Sequence, residues 1–325
     1  MKKSHLYPSK QIRNKEKLGW TLIINPFGAS ECLRDTNYHN TPATVMESEV
    51  DVVIPTFRRP DALASCLDSL KKQTLKPASI EVVDDSETDL GPGISRNIGW
   101  KRGSGRFVAF IDDDCLADKE WIESIQRVFS ENDVGGIEGF ITTTNEDGEE
   151  IDFNPPNRFK WDRFKTANMA VRREVLEEIG GFDERYFLHR EDTDLAWRII
   201  DSGFKMAWVP QCKVHHPEPL GGHEDGIKGP SVYGAYPRSE QLLYHCNPKK
   251  FVECAAALIS RESLRSGKLW KLQRDLRIRQ DPPDVQPLSR LQSWSLWTRA
   301  WLVAGFWLVR RKATGEPKKS IHSLD

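Results

Sequence analysis

The chain has 325 residues, 38% of them hydrophobic and 10% aromatic, which is enough apolar material to close a sizeable core. Its 47 Lys and Arg nearly cancel 48 Asp and Glu, leaving a formal net charge of −1, so there is no overall basic field to attract nucleic acid and no such partner is expected. The longest apolar stretch, Ala300 to Val309, runs ten residues, short of the roughly 18 to 20 that a bilayer-crossing helix needs.

Residues 1 to 49 carry short apolar pieces such as Trp20 to Ile24 without a sustained period, and read as an extension wrapped on the main domain. No apolar segment stands behind the cations of Met1 to Lys17, so no secretory leader is expected and a reducing cytoplasm is the default compartment. The six cysteines have no CxxC spacing and read as buried, unpaired thiols.

From Val50 the pattern changes. Val50 to Ile54 is a β-branched run closed by Pro55, and Pro60 opens a helix whose Leu63, Cys66, Leu67 and Leu70 fall at i, i+3, i+4 and i+7. Ile80 to Val83 is a second strand ending in Asp84 and Asp85. Ile94 to Arg102 is helix-compatible, Phe107 to Ile111 is a third strand, and Lys119 to Phe129 is a helix with Trp121, Ile122, Ile125, Val128 and Phe129 on one side. Strand, helix, strand in this order implies parallel pairing and a doubly wound α/β domain.

Beyond it, Val134 to Thr144 and Ala207 to Val209 read as strands, with helices at Glu174 to Ile179, closed by Gly180-Gly181, and at Glu191 to Ser202. Pro217 to Pro230 is rich in Gly and Pro and reads as a mobile connection containing His223. From Ser239 to about Lys312 the chain is expected to be mostly helical. This divides the protein into an extension (1–49), an α/β catalytic domain (50–238) and a helical, Trp-rich region (239–325).

In open α/β sheets ligands collect outside the carboxyl ends of the strands. Here those ends deliver Thr56, then Asp84 and Asp85, then Asp112, Asp113 and Asp114. Carboxylates converging on one rim repel one another, and a shared divalent cation relieves the cost. Oxygen ligands favour Mg²⁺ or Mn²⁺, which keep positions open for phosphate oxygens, so a nucleotide diphosphate is a fitting ligand. A solvated turn or a helix cap is the plainer explanation of three successive aspartates, but their place directly behind a buried strand favours the metal.

These residues resemble inverting glycosyltransferases of family 2, which have a GT-A fold: a doubly wound, mostly parallel, Rossmann-like sheet binding nucleotide-diphospho sugars. The resemblance runs from about Val50 to Pro217. It is carried by Val52 to Arg59, Ile80 to Ser86, Ser95 to Gly99 with Gly105 to Asp114, Gly180 to Phe187, and Glu191 to Leu195, in the family's order. It implies that Thr56, Asp84 and Asp85 line the nucleoside pocket with Arg96 near the phosphates, and that Asp112 and Asp114 hold the metal. A 113/114 arrangement stays open, and Asp113 is otherwise counted on the nucleotide side. Asp192, with Glu191 beside it, matches the base that takes the acceptor proton; acidic residues at a helix N-terminus also have a purely structural use.

Either His215 or His216 matches a position where some members add a metal ligand, and the residues do not choose between them. Asn168 matches a small-residue strand near the sugar, although packing explains it as well. No Gln-x-x-Arg-Trp occurs, so transfer of a single sugar is expected rather than polymer synthesis. A hydroxyl acceptor is expected, for which a lipid-linked compound or a polysaccharide precursor would serve, and the residues do not identify it.

Near the C-terminus, Trp294, Trp297, Trp301 and Trp307 accompany Arg299, Arg310, Arg311 and Lys312. Such a stretch can lie in a membrane interface, at the inner face of the membrane, or pack its aromatic side on the catalytic domain. Two rivals to transfer remain. A sugar-phosphate nucleotidyltransferase needs a glycine-rich loop where this chain has Pro55 to Pro60, and a non-catalytic nucleotide-sugar-binding module would show damaged metal or base positions, which are intact.

Overall fold

The computed structural model describes residues 20–24, 30–34, 47–145, 147–153, 164–217, 230–260, 268–279 and 285–314. Pro155, Pro156 and the connection containing His223 lie outside them.

A ten-stranded sheet forms the centre. Its core is β3 (Val50–Thr56), flanked in parallel by β4 (Ser79–Asp84) and β5 (Phe107–Phe110). Both faces of β3 are covered, which is why it is a continuous β-branched run. Val52 and Ile54 face one buried layer with Cys66 and Leu70 of α1 (Pro60–Lys71) and Trp121, Ile122 and Ile125 of α3 (Trp121–Glu131). Val53 faces the other, with Trp100 of α2 (Pro92–Arg102). The parallel β–α–β arrangement expected from the spacing is therefore present in this half.

The other half is mixed. β9 (Met169–Arg172) lies antiparallel between β5 and β7 (Gly136–Thr144), at the small-residue strand that the family resemblance implied around Asn168. β10 (Met206–His216) pairs in parallel with β7 through a register shift between Val209 and Lys213. It is an eleven-residue strand, so His215 and His216 belong to it and do not come after it. Two short strands pair beside this path, β6 (Leu116–Ala117) on β10 and the exposed β8 (Glu150–Asp152) on β7. The extension is not merely wrapped on the domain: β1 (Trp20–Ile24) and β2 (Ser30–Arg34) add an antiparallel edge to β10.

α4 (Arg173–Ile179) ends at Gly180, whose φ of +79° makes the left-handed turn that glycine adopts without a Cβ penalty. Next in the chain is α5 (Glu191–Asp201). The C-terminal region is helical as expected, with α6 (Pro230–Cys246), α7 (Pro248–Ser260), α8 (Lys268–Asp275) and α9 (Arg290–Thr314). α6 runs across the boundary expected at 238/239, and the buried side chains of α6 to α9 join the same apolar cluster as α2, α4 and α5.

Candidate active site

The carboxyl ends of β3, β4 and β5 open on one edge of the sheet, because parallel strands end together. Thr56 and Asp113 meet there, with the Thr56 hydroxyl donating to Asp113 Oδ2 at 2.7 Å. Arg59, in the loop leaving β3, donates to Asp113 Oδ1 at 3.3 Å and to Asp114 Oδ2 at 2.5 Å. Burial drives the Asp113 carboxyl above its ordinary range, with Thr56 and Arg59 opposing. Burial works against the charge of Arg59, but Asp114 and Asp113 outweigh it and raise its pKa.

Arg96 on α2 is 3% exposed and spans the site. Its Nη2 donates to Asp112 at 2.7 Å and its Nη1 to Glu191 at 3.1 Å. Neighbouring Asn97 fixes the far side of this bridge: it accepts from the Phe182 N–H at 2.9 Å and donates to the Phe182 carbonyl at 2.9 Å, tying α2 to the segment before α5. One guanidinium thus joins the aspartate cluster to the first turn of α5. Burial, then repulsion from Asp192, holds the Glu191 carboxyl above its ordinary range, with Arg96 opposing. Glu191 Oε2 is buried without a hydrogen-bond partner among the described residues.

Asp192 differs from its neighbour. Oδ1 accepts from the Thr193 N–H at 2.6 Å, while Oδ2 faces the Lys165 ammonium at 4.0 Å, with no tighter ion pair among the described residues. The backbone entering α5 is unusual, since His189 and Arg190 both have φ of +72°. Left-handed geometry costs roughly 1–2 kcal/mol at a non-glycine residue, and α6 holds it in place. Glu240 Oε1 accepts from Arg190 Nε at 3.0 Å and Nη2 at 2.8 Å and lies 3.0 Å from His189 Nε2, and Ser239 donates to the Leu188 carbonyl at 2.7 Å.

The two histidines separate because adjacent strand residues point to opposite faces. His216 Nε2 stands 3.4 Å from Asp114 Oδ1. Ligand atoms of Asp114, Cys115 and His216 lie within 4.8 Å of one another, and the buried His216 Nδ1 has no partner among the described residues. His215 instead lies 3.0 Å from Thr142 Oγ1 and 3.2 Å from Thr144 Oγ1, away from the aspartates. Burial, with Asp112 and Asp114, pushes the Cys115 thiol well above its ordinary value. Carboxylate and imidazole donors suit a divalent cation of the Mn²⁺ type.

Asp85 is buried and accepts from Thr88 Oγ1 at 2.6 Å, Leu90 N at 2.9 Å and Gly91 N at 2.7 Å, and its own N–H donates to the Thr56 carbonyl at 3.0 Å. It therefore shapes the loop beside Thr56. Gly91, with φ of +90°, closes that loop where a Cβ would strike the Phe187 carbonyl. Asp84 is exposed and accepts from the Ser86 N–H at 2.9 Å. Asn168 is buried, donating to the Phe140 and Cys212 carbonyls at 2.9 and 2.7 Å and accepting from Trp121 Nε1 at 2.8 Å, so it laces β7, β10 and α3 together.

Residues 51–90 and 87–182 match the glycosyl transferase family 2 profile. Residues 51–182 are therefore a glycosyl transferase family 2 segment. Among the relatives of the chain, glycosyltransferase AglE of Haloferax volcanii is 24% identical over 203 residues, covering 52% of this chain and 66% of AglE. The N-acetylglucosaminyl-diphospho-decaprenol L-rhamnosyltransferase of Mycobacterium tuberculosis is 37% identical over 75 residues, 23% of this chain and 24% of that protein. The chain thus spans at most about two thirds of these relatives. In fold it resembles S. aureus TarS 1–349 in complex with UDP (TM-score 0.52, 14% identity, 84% of this chain and 93% of that one). It also resembles GalNAc-T7 with UDP, GalNAc and Mn²⁺ (TM-score 0.51, 17% identity, 79% and 58%). The fold of the chain is therefore GT-A.

Sequence reasoning overlooked Arg59, Lys165 and Glu240. A cation in the loop opposite three aspartates was a usable signal for Arg59, whereas Glu240 lies fifty residues from Arg190 and no local pattern connects them.

Proposed function

We propose that the protein transfers a single sugar from a nucleotide-diphospho sugar to an acceptor hydroxyl, with inversion and metal assistance. What supports this reading is the Arg96 bridge, in which one buried guanidinium touches both Asp112, among the carboxylates read as metal- and diphosphate-binding, and Glu191, next to the residue read as the base.

Thr56 and Asp85 frame the nucleoside, with exposed Asp84 at its rim, and Asp113 with Arg59 closes the floor below it. Arg96 faces the phosphates. A divalent cation, Mn²⁺ or Mg²⁺, would be held by Asp114 and His216 with Asp112 as the second carboxylate, and when bound it neutralises charge on the departing diphosphate. His215, occupied by Thr142 and Thr144, takes no part in that set.

Asp192 is the base. Its Oδ2 takes the acceptor O–H proton as the oxygen bonds to the anomeric carbon from the face opposite the phosphate, whose C–O bond breaks with the electron pair leaving on the nucleoside diphosphate. Glu191 is the wrong carboxyl for this step, since burial favours its protonated form and Arg96 occupies one oxygen. It orients Arg96 instead. The acceptor is a lipid-linked compound or polysaccharide precursor met at the cytoplasmic face of a membrane, in keeping with the diphospho-decaprenol substrate in the name of one relative.

The test is Asp192→Asn. It should keep Mn²⁺-dependent thermal stabilisation by a UDP-, GDP- or TDP-sugar and lose transfer and donor hydrolysis by about 10²- to 10⁴-fold. Full turnover in that variant would remove Asp192 from the mechanism.

A further inference from the structure

α9 has two apolar faces, and only one is used. Leu296, Ala300 and Ala304 are buried against the helical region, with Trp297, Val303 and Trp307 packed beside them. On the opposite side Trp294 is 67% exposed, Leu302 68%, Phe306 64% and Val309 66%. Of the eleven exposed large hydrophobics among the described residues, seven lie on α9, and Trp270 on neighbouring α8 is an eighth. Scattered surface apolar residues need no explanation, but a concentrated patch on one helix pair does.

The charge around that patch has one sign. Arg277, Arg279, Arg290, Arg299 and Arg310 are all exposed, and across 268–279 and 290–310 the sole acidic residue is Asp275, which is buried and paired with Arg274 at 3.1 Å. In a chain of net charge −1 this is a strong local bias. Arg299 is three residues from Leu302, and Arg310 four from Phe306, so these cations flank the apolar stripe along the helix axis, where long stems can keep the charge in water. A groove of about 590 Å³ runs along the stripe, lined by Trp294, Trp301 and Leu302 with Arg290 at its edge. No described helix is long and apolar enough to cross a membrane.

We propose that the outward face of α8 and α9 docks the protein on an anionic phospholipid bilayer, with α9 lying in the plane of the interface. Tryptophan and leucine side chains enter the acyl boundary while the surrounding arginines meet lipid phosphates. A second protein copy would cover the apolar stripe too, but like-charged arginines would then face each other. An anionic lipid surface complements both features at once. The inference extends the membrane-side acceptor of the proposed reaction and rests on that reading for its purpose alone, since docking is measured without catalysis.

The experiment is co-sedimentation of the full chain with sucrose-loaded vesicles of phosphatidylcholine, alone or with 30% phosphatidylglycerol, while tryptophan emission is followed. Partitioning onto the anionic vesicles should exceed that onto neutral ones at least tenfold and fall on raising salt from about 0.1 to 0.5 M, with a blue shift of emission. The Trp294→Ala/Trp301→Ala pair should lose at least tenfold of this binding. Arg290→Gln/Arg299→Gln should lose the preference for anionic vesicles while still binding weakly, and both variants should keep the wild-type melting temperature. Equal partitioning onto both vesicle types, no partitioning, or unchanged binding in the Trp pair would overturn the proposal. So would a concentration-dependent dimer that the Trp substitutions dissolve. None of these results would touch the Asp192 assignment.

Discussion

At the scale of single residues, the site is built from charges that restrain one another. Asp113 and Glu191 are held above their ordinary range by burial, whereas Glu240, buried as deeply, is pulled below it, because Arg190 and His189 outweigh the cost of burial. The sign comes from linkage. A carboxyl with a depressed folded pKa contributes stability above its unfolded pKa of about 4.3 and loses it as pH falls through the folded value. Glu240→Gln removes the charge that accepts two hydrogen bonds from Arg190, so it should cost roughly 1.5–3 kcal/mol at pH 7. Its stability should also fall less steeply than the wild type's below about pH 4.3, as read by denaturant melts at several pH values. Because Glu240 supports the left-handed residues that enter α5, transfer should drop with it while nucleotide-induced stabilisation remains. Equal loss of both would mean that the whole site had collapsed.

At the scale of elements, α9 offers an internal control. Leu296 is fully buried and Trp294 is two-thirds exposed, two residues apart on one helix. Truncating a buried leucine removes its transfer energy and leaves a cavity, so Leu296→Ala should cost about 2–5 kcal/mol. Trp294→Ala should stay within about 0.5 kcal/mol, as surface changes usually do. Comparable losses from both would mean that the outer face is covered in solution. The same reasoning explains the strands. β3 reads correctly from sequence because burial on both faces demands an unbroken apolar run. β9 was indicated only by the family resemblance at Asn168, and its antiparallel direction was not legible, since a four-residue apolar segment carries no mark of its direction or neighbours.

For the whole molecule, the proposed reading makes donor binding and metal one event, because Asp112 to Asp114 have only two arginines among the described residues to balance them. With Mn²⁺ present, a nucleotide at about 100 times its Kd should stabilise the fold by about 2.7 kcal/mol. EDTA should remove most of that gain, and Asp114→Ala should remove it even with Mn²⁺ present. Undiminished stabilisation in EDTA would break the link between metal and donor.

Sequence by itself determined which segments are strands and helices in the α/β half, their parallel order, and that Thr56, Asp84, Asp85 and Asp112 to Asp114 would emerge at strand ends. These come from local periodicity and from the rule that parallel strands share one carboxyl edge. Only the tertiary structure decided that Arg96 spans Asp112 and Glu191, that His216 and not His215 faces Asp114, that Glu240 braces the entrance to α5, and which face of α9 is buried. Each of these depends on groups far apart in the chain, and their meeting is set by the order and register of the sheet and the packing of helices over it, which no local pattern encodes.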